Sequence, residues 1–171
     1  GLEELFKLGH RKFGLLAHWT KEDYIRDFHG WLAEKGISSR PEWTPSFDKE
    51  LTDEDSAPVV ERYLLQKELP TAIVSTSPIH TRPIFRICGE LGMRIPEDMS
   101  LLHSGEAHSV GGLPKKPSLD YPGFFKVARE SVRRLLALLE GKESSFDEEL
   151  VDSEYIPGDT FAKPRQQGRP R

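Results

Sequence analysis

Along the chain, a short apolar run, a polar break and a stretch with apolar residues every three or four positions recur in that order. The first run, Lys12 to Ala17, ends in His18-Trp19-Thr20. It leads into a helix predicted from about Glu22 to Lys35, apolar on Tyr24, Ile25, Phe28, Trp31 and Leu32 and stopped by Gly36. A loop rich in Ser and Pro (Ile37 to Lys49) precedes a second helix starting at Thr52 or Asp53, with Val59, Val60, Tyr63 and Leu64 spaced to bury and Pro58 in its first turns. The second run, Thr71 to Val74, ends in Ser75-Thr76-Ser77. The helix that follows is predicted from Thr81 or Arg82 to Leu91, apolar on Ile84, Phe85, Ile87, Cys88 and Leu91, with Gly92 as its stop. The third run, Met99 to Leu102, ends in His103-Ser104-Gly105-Glu106. A flexible Gly/Pro/Ser/Lys stretch to Pro117 separates it from the longest helix, about Gly123 to Leu139. Glu149 to Ile156 offers one or two late strands, and Thr160 to Arg171 reads as an unstructured tail.

Short strands buried on both faces and joined by helices make this an α/β chain: a parallel sheet with flanking helices. In such sheets ligands bind beyond the carboxyl ends of the strands, and here these ends carry hydroxyl, imidazole or acidic side chains at His18/Thr20, Ser75/Thr76/Ser77 and His103/Ser104/Glu106. Composition narrows the classes. Charged residues are 30% of the 171 and the apolar set 36%, and no apolar run approaches a spanning length, so no membrane partner is expected. A net charge of -4 gives no footprint for nucleic acid, the basic clusters being only Lys115-Lys116, Arg133-Arg134 and the Arg165 to Arg171 tail. Cys88 is the lone cysteine, which excludes an internal disulfide or a cysteine-based zinc site and fits a reducing cytoplasm. Gly1 to Phe13 reads as neither signal nor transit peptide.

Four stretches carry a resemblance. Leu8-Gly9-His10-Arg11-Lys12 before the first apolar run, the segment Asp27 to Gly36 (D-F-H-G-W-L-A-E-K-G), Pro70-Thr71-Ala72-Ile73 and above all Glu90 to Leu101 (E-L-G-M-R-I-P-E-D-M-S-L) stand in the order and spacing of one family. The chain resembles the carboxyl-terminal part of the effector-binding domain of lactose-repressor (LacI/GalR) transcription regulators over about Gly1 to Lys163. The resemblance implies a partial type I periplasmic-binding-protein-like lobe, with residues 164–171 a disordered tail and the helix of 123–141 belonging to the amino-terminal lobe. It implies binding without chemistry and without a cofactor or metal. A small effector, sugar-like or another metabolite, would close the two lobes and change operator binding by an amino-terminal head not found in this sequence. A homodimer is implied, through Ile84, Phe85 and Cys88 on the helix after the second strand.

The effector positions transfer in part. Tyr24 stands where the family places an arginine, Gly105 and Glu106 replace its paired acids, and Ser77-Pro78 replaces its Asn-Asp pair. His18 and Thr20 occupy effector-contact loop positions, and Phe47 falls near a stacking aromatic; with Tyr24, Ser75, Ser77, Ser104 and Glu106 they form the candidate site. Each has a plainer reading. His18 and His103 fit loop histidines satisfied by backbone or water, Tyr24 fits core as well as cleft, and Glu106 fits a solvated loop acid. Trp19, Trp31 and Trp43 read as packing residues, and Asp147-Glu148-Glu149 as a solvated edge.

Two other functional classes are weighed. A solute-binding protein of an uptake system would share the fold but need an export signal and both lobes. An α/β enzyme could recruit only His18, His103 and Glu106, whose spacing fits no catalytic template; Ser104-Gly105-Glu106 lacks a nucleophile elbow's flanks, and Gly111-Gly112 lacks the strand-to-helix context of a phosphate cradle.

Overall fold

The computed structural model of the chain describes residues 1–17, 22–45, 52–142 and 151–165, without the side chains of Glu22 and Asp53. Its elements run α1 (Leu2–Lys7), β1 (Phe13–Leu16), α2 (Glu22–Glu34), α3 (Asp53–Leu64), β2 (Ala72–Ser75), α4 (Pro78–Glu90), β3 (Ser100–Ser104), β4 (Ser118–Tyr121), α5 (Phe124–Leu139) and β5 (Glu154–Ile156), with single 3-10 turns at Pro41–Trp43 and Ala107–Val110. The strands form one sheet in sequence order. β1 to β4 are parallel, and β5 closes the edge antiparallel to β4, so the expected parallel sheet carries one reversed edge strand. An antiparallel edge of this kind is common on otherwise parallel sheets.

Strand alternation sends side chains to two separate cores. Phe13, Leu15 and Ala17, then Ala72 and Val74, then Leu102 pack under α1 and α2 with Leu5, Phe28 and Leu32. Leu16, Ile73 and Leu101 face the other way, against Val60, Tyr63 and Leu64 of α3 and Ile84, Ile87 and Cys88 of α4. The apolar runs therefore lack a polar alternate because both faces are covered. Gly14 lies on the α3 side, where a Cβ would meet the Tyr63 hydroxyl at 2.0 Å and Pro70 Cγ at 2.8 Å. Only a glycine lets the ring lie over β1, with its hydroxyl donating to the Trp43 carbonyl at 3.1 Å.

Helix ends follow local chemistry. Thr52 and Asp55 form a capping box that starts α3, and Pro58 falls on its second turn. Gly36 and Gly92 take positive φ of 66° and 69° just beyond α2 and α4, the left-handed stop that glycine adopts without a Cβ penalty. The start of α4 differs from expectation: it begins at Pro78, three residues before Thr81, because the Ser77 hydroxyl caps it and a proline fits the first turn. α1 and β4 were not expected, and β4 occupies the four residues just after the stretch expected to be flexible.

The tail beyond Thr160 corrects the expectation of an unstructured end as far as Arg165. Thr160 is fully buried, donating to the Leu101 carbonyl at 2.6 Å and accepting from the Ser118 N–H at 2.8 Å. The Leu101 N–H donates to the Thr160 carbonyl, and Ser100 Oγ exchanges bonds with Ala162. The segment thus lies beside the amino half of β3, which β4 does not pair. Buried His10 bridges it to the start of β2, Nδ1 at 2.8 Å from Thr71 Oγ1 and Nε2 at 2.8 Å from the Ala162 carbonyl. Arg165 pairs with Asp98, and residues 166–171 lie outside the described part.

Candidate functional site

The register aligns the carboxyl ends of the strands in a row, Leu16 beside Ser75 beside His103, with Ser104 beside Asp120 one step further on. Alternation divides these groups between the sheet's faces. On the α2 side, Tyr24 packs partly buried against the core, and its hydroxyl shares a hydrogen bond with Ser104. Burial pushes the Tyr24 hydroxyl pKa up, and the nearby Asp120 carboxylate adds to the shift, so the group stays a neutral phenol near neutral pH. Tyr24 is therefore core by its ring and edge by its oxygen.

On the α4 side the polar groups turn inward. Thr81 Oγ1 lies 2.8 Å from Ser75 Oγ, 3.1 Å from the Ser77 carbonyl and 2.9 Å from His103 Nδ1. Ser75, Thr81 and His103 are each fully buried and Ser77 nearly so. Burial depresses the His103 pKa to about 4, so the ring is neutral at pH 7. Beyond β3, Glu106 reaches His108 Nδ1 at 3.4 Å, and its carbonyl accepts from Ser109 Oγ at 2.7 Å. A second buried pair, Ser56 Oγ and His80 Nδ1 at 2.9 Å, joins α3 to the first turn of α4.

The sequence-derived candidates thus divide. Tyr24, Ser104 and Glu106 lie at or next to the carboxyl edge with partial exposure, whereas Ser75 and Ser77 belong to the buried network around Thr81. His18, Thr20 and Phe47 lie outside the described residues. Asp120 was missed because β4 was not recognised; the alternation in Ser118-Leu119-Asp120-Tyr121, fenced by prolines on both sides, is the signal that could have found it. Of the three expected interface residues, Ile84 and Cys88 are fully buried in this chain's own core, and Phe85 alone is partly exposed. Trp43 is buried packing, as its plainer reading had it, and Trp31 stacks edge-on against Phe6 and Phe13.

Two concave surfaces among the described residues lie away from this edge. A broad polar hollow of about 720 Å³, lined by Arg40, Glu42, Gln66, Lys67 and Glu68, opens at the amino end of β2. A smaller one of about 270 Å³ lies beside the 107–110 turn and β4. Neither reaches Tyr24 or Ser104. Among the described residues no cluster of three His, Cys, Asp or Glu could hold a metal ion, and no helix is long and apolar enough to cross a membrane.

Three comparisons bear on this arrangement. The periplasmic binding protein-like domain family matches residues 2–161. The HTH-type transcriptional repressor PurR of Haemophilus influenzae (strain PittEE) is 23% identical over 145 residues, covering 82% of this chain and 43% of the repressor. The chain thus spans under half the length of that relative. Among solved structures, a LacI family transcriptional regulator from Bifidobacterium animalis subsp. lactis superposes with a TM-score of 0.80 at 21% identity, over 96% of this chain and 60% of its own. The lac repressor dimer bound to operator and the anti-inducer ONPF superposes with a TM-score of 0.79 at 18% identity, over 95% and 56%. With a mostly parallel three-layer α/β architecture and a family match over nearly all its length, the chain belongs to the periplasmic binding protein-like domain family.

Proposed function

We propose that this chain is the effector-sensing part of a bacterial transcription regulator, and that the carboxyl edge of its sheet is one wall of a cleft whose other wall is a second lobe of the same polypeptide. The regulator would be cytoplasmic and dimeric, would bind its effector without transforming it, and would meet operator DNA through a separate head. The observation that carries the reading is the Tyr24–Ser104 hydroxyl pair at the strand ends, with Glu106 two residues further along the chain, in a domain whose family match covers residues 2–161.

α5 supports the second lobe. None of its residues is buried, and Phe124, Phe125, Val132, Leu135, Leu136 and Leu139 are each at least half exposed. A stripe of that size is too large for a free surface and asks for a covering layer. The remaining lobe of a longer polypeptide is the occupant that fits, given that the chain spans 43% of the repressor it matches and 60% of the regulator it superposes on. On this reading α5 packs into the amino-terminal lobe, and Phe85 on α4 marks the subunit contact.

The edge groups set the chemistry of the effector. The Tyr24 and Ser104 hydroxyls both donate and accept, while Glu106 accepts. They suit a neutral small molecule rich in N–H or O–H donors. Thermal-shift measurements on the full-length protein against sugars, sugar acids, nucleobases and nucleosides test this. A neutral donor-rich compound at a hundred times its Kd stabilises the folded state by about 2.7 kcal/mol, and the shift shrinks in Ser104→Ala and Glu106→Gln. A stabilising compound whose shift is untouched by both substitutions would place the effector elsewhere.

A further inference from the structure

We propose that His103 is a positioning residue that locks the Glu106 loop to the first turn of α4, so that a displacement at one is felt at the other. The imidazole is fully buried at the end of β3, and its two nitrogens face different elements. Nδ1 lies 2.9 Å from Thr81 Oγ1 on α4, and Nε2 lies 3.4 Å from Ser109 Oγ in the turn after Glu106. The Nε2–H tautomer serves both sides: Nδ1 accepts from Thr81 Oγ1, which lies 2.8 Å from Ser75 Oγ, and Ser75 donates to the Ser77 carbonyl at 3.0 Å. That carbonyl belongs to the residue that caps α4.

On the loop side the Ser109 hydroxyl oxygen accepts from Nε2–H. Its single proton goes to the Glu106 carbonyl at 2.7 Å, which carries the link from the ring into the Glu106 loop. Arg82 on α4 reaches the Ser109 carbonyl at 2.7 Å, so the turn is held to α4 at a second point. The loop also fits closely over the ring: a Cβ on Gly105 would lie 2.8 Å from Nε2. Thr81 and Ser109 thus reach opposite nitrogens of one buried ring. Because Glu106 is taken as an effector contact and α4 as the subunit contact, the functional meaning of the lock rests on the preceding proposal, while the lock itself does not.

Amide hydrogen exchange on the full-length protein, without added ligand, tests the lock through Thr81→Val, Ser109→Ala and the double variant. Thr81→Val is expected to raise the opening of 105–111 several-fold although it removes no contact made by that loop. The double variant is expected to open the loop at least threefold less than the product of the two single effects, since either substitution already unlocks the ring. In a His103→Phe background the departure from the product should vanish. Loop opening unchanged by Thr81→Val, or a double effect equal to the product, overturns the proposal. A lock found by exchange with no effect of Glu106→Gln on any ligand would leave the lock standing and remove only its link to the effector.

Discussion

Replacing Gly14 by alanine sets two ordinary rules against each other. A glycine inside a strand costs about 0.5 to 1 kcal/mol relative to alanine through backbone entropy, so propensity alone predicts a more stable protein. The built-in Cβ, however, would lie 2.0 Å from Tyr63 Oη, 2.8 Å from Pro70 Cγ and 3.1 Å from the Trp43 carbonyl oxygen. The Tyr63 ring is held in the α3–α4 core and its hydroxyl donates to that same carbonyl. It must either shift, at about 1 to 3 kcal/mol for overpacking, or break a buried hydrogen bond and strand the carbonyl, at about 1 to 3 kcal/mol. After the entropic gain, Gly14→Ala is expected to cost about 1 kcal/mol, and no more than about 2.5 kcal/mol. Tyr63→Phe alone loses one hydrogen bond, about 1 kcal/mol, yet it removes the atom in the worst conflict. The Gly14→Ala/Tyr63→Phe double variant should therefore be more stable than Gly14→Ala alone. Urea unfolding followed by fluorescence reads all four proteins, with buried Trp43 next to the perturbation. Gly14→Ala at or above the parent stability, or a double variant with simply additive losses, would refute the packing of Tyr63 over β1.

Further outcomes follow from the buried polar groups. His103 has its pKa depressed by burial from 6.5 to about 4, so the unfolded chain binds the proton more readily than the folded one. Its contribution is complete above pH 6.5 and is lost as pH falls towards 4, about 3 kcal/mol over that window. Urea midpoints measured from pH 7 to 4 should fall, and less steeply in His103→Gln; equal slopes would contradict this. His10, shifted the same way by burial, adds to the parent slope with the same sign. Thr160→Val keeps shape but leaves the Leu101 carbonyl and the Ser118 N–H without their partner, a loss of about 2 kcal/mol or more that should lower Tm. Thr52→Ala removes the side-chain oxygen that accepts from the Asp55 N–H and should cost about 1 kcal/mol, with Thr52→Ser restoring most of it.

What could be read from the residues was whatever periodicity and capping write locally. β1, β2 and β3, α2 and the start of α3 lie within a residue or two of expectation because apolar runs, a Thr/Asp helix start and a glycine stop leave few alternatives. β4 has only four residues between prolines, and its pairing partner β3 lies fourteen residues upstream of it, so its alternation is too short to stand out from the loop around it. The docking of Thr160 to Arg165 depends on distant groups, Leu101, Ser100 and His10, which pattern reading cannot bring together. At the edge, sequence named Ser75 and Ser77 along with Ser104 because all three end apolar runs. Strand parity sends Ser75 to the α4 side and Ser104 to the α2 side. That one-residue difference separates a buried network from the groups around Tyr24.

The central claim is that the carboxyl edge, and not the larger hollow at the opposite end of the sheet, receives the effector. Differential hydrogen exchange on the full-length protein, with and without the most stabilising compound from the thermal screen, tests it most directly. Protection gained in the segments that carry Tyr24 and Ser104 to Glu106, with α5 already protected in both states by its covering lobe, is the predicted result. Protection confined to the segments around Arg40 and Gln66 to Glu68, which line the hollow of about 720 Å³, would contradict it.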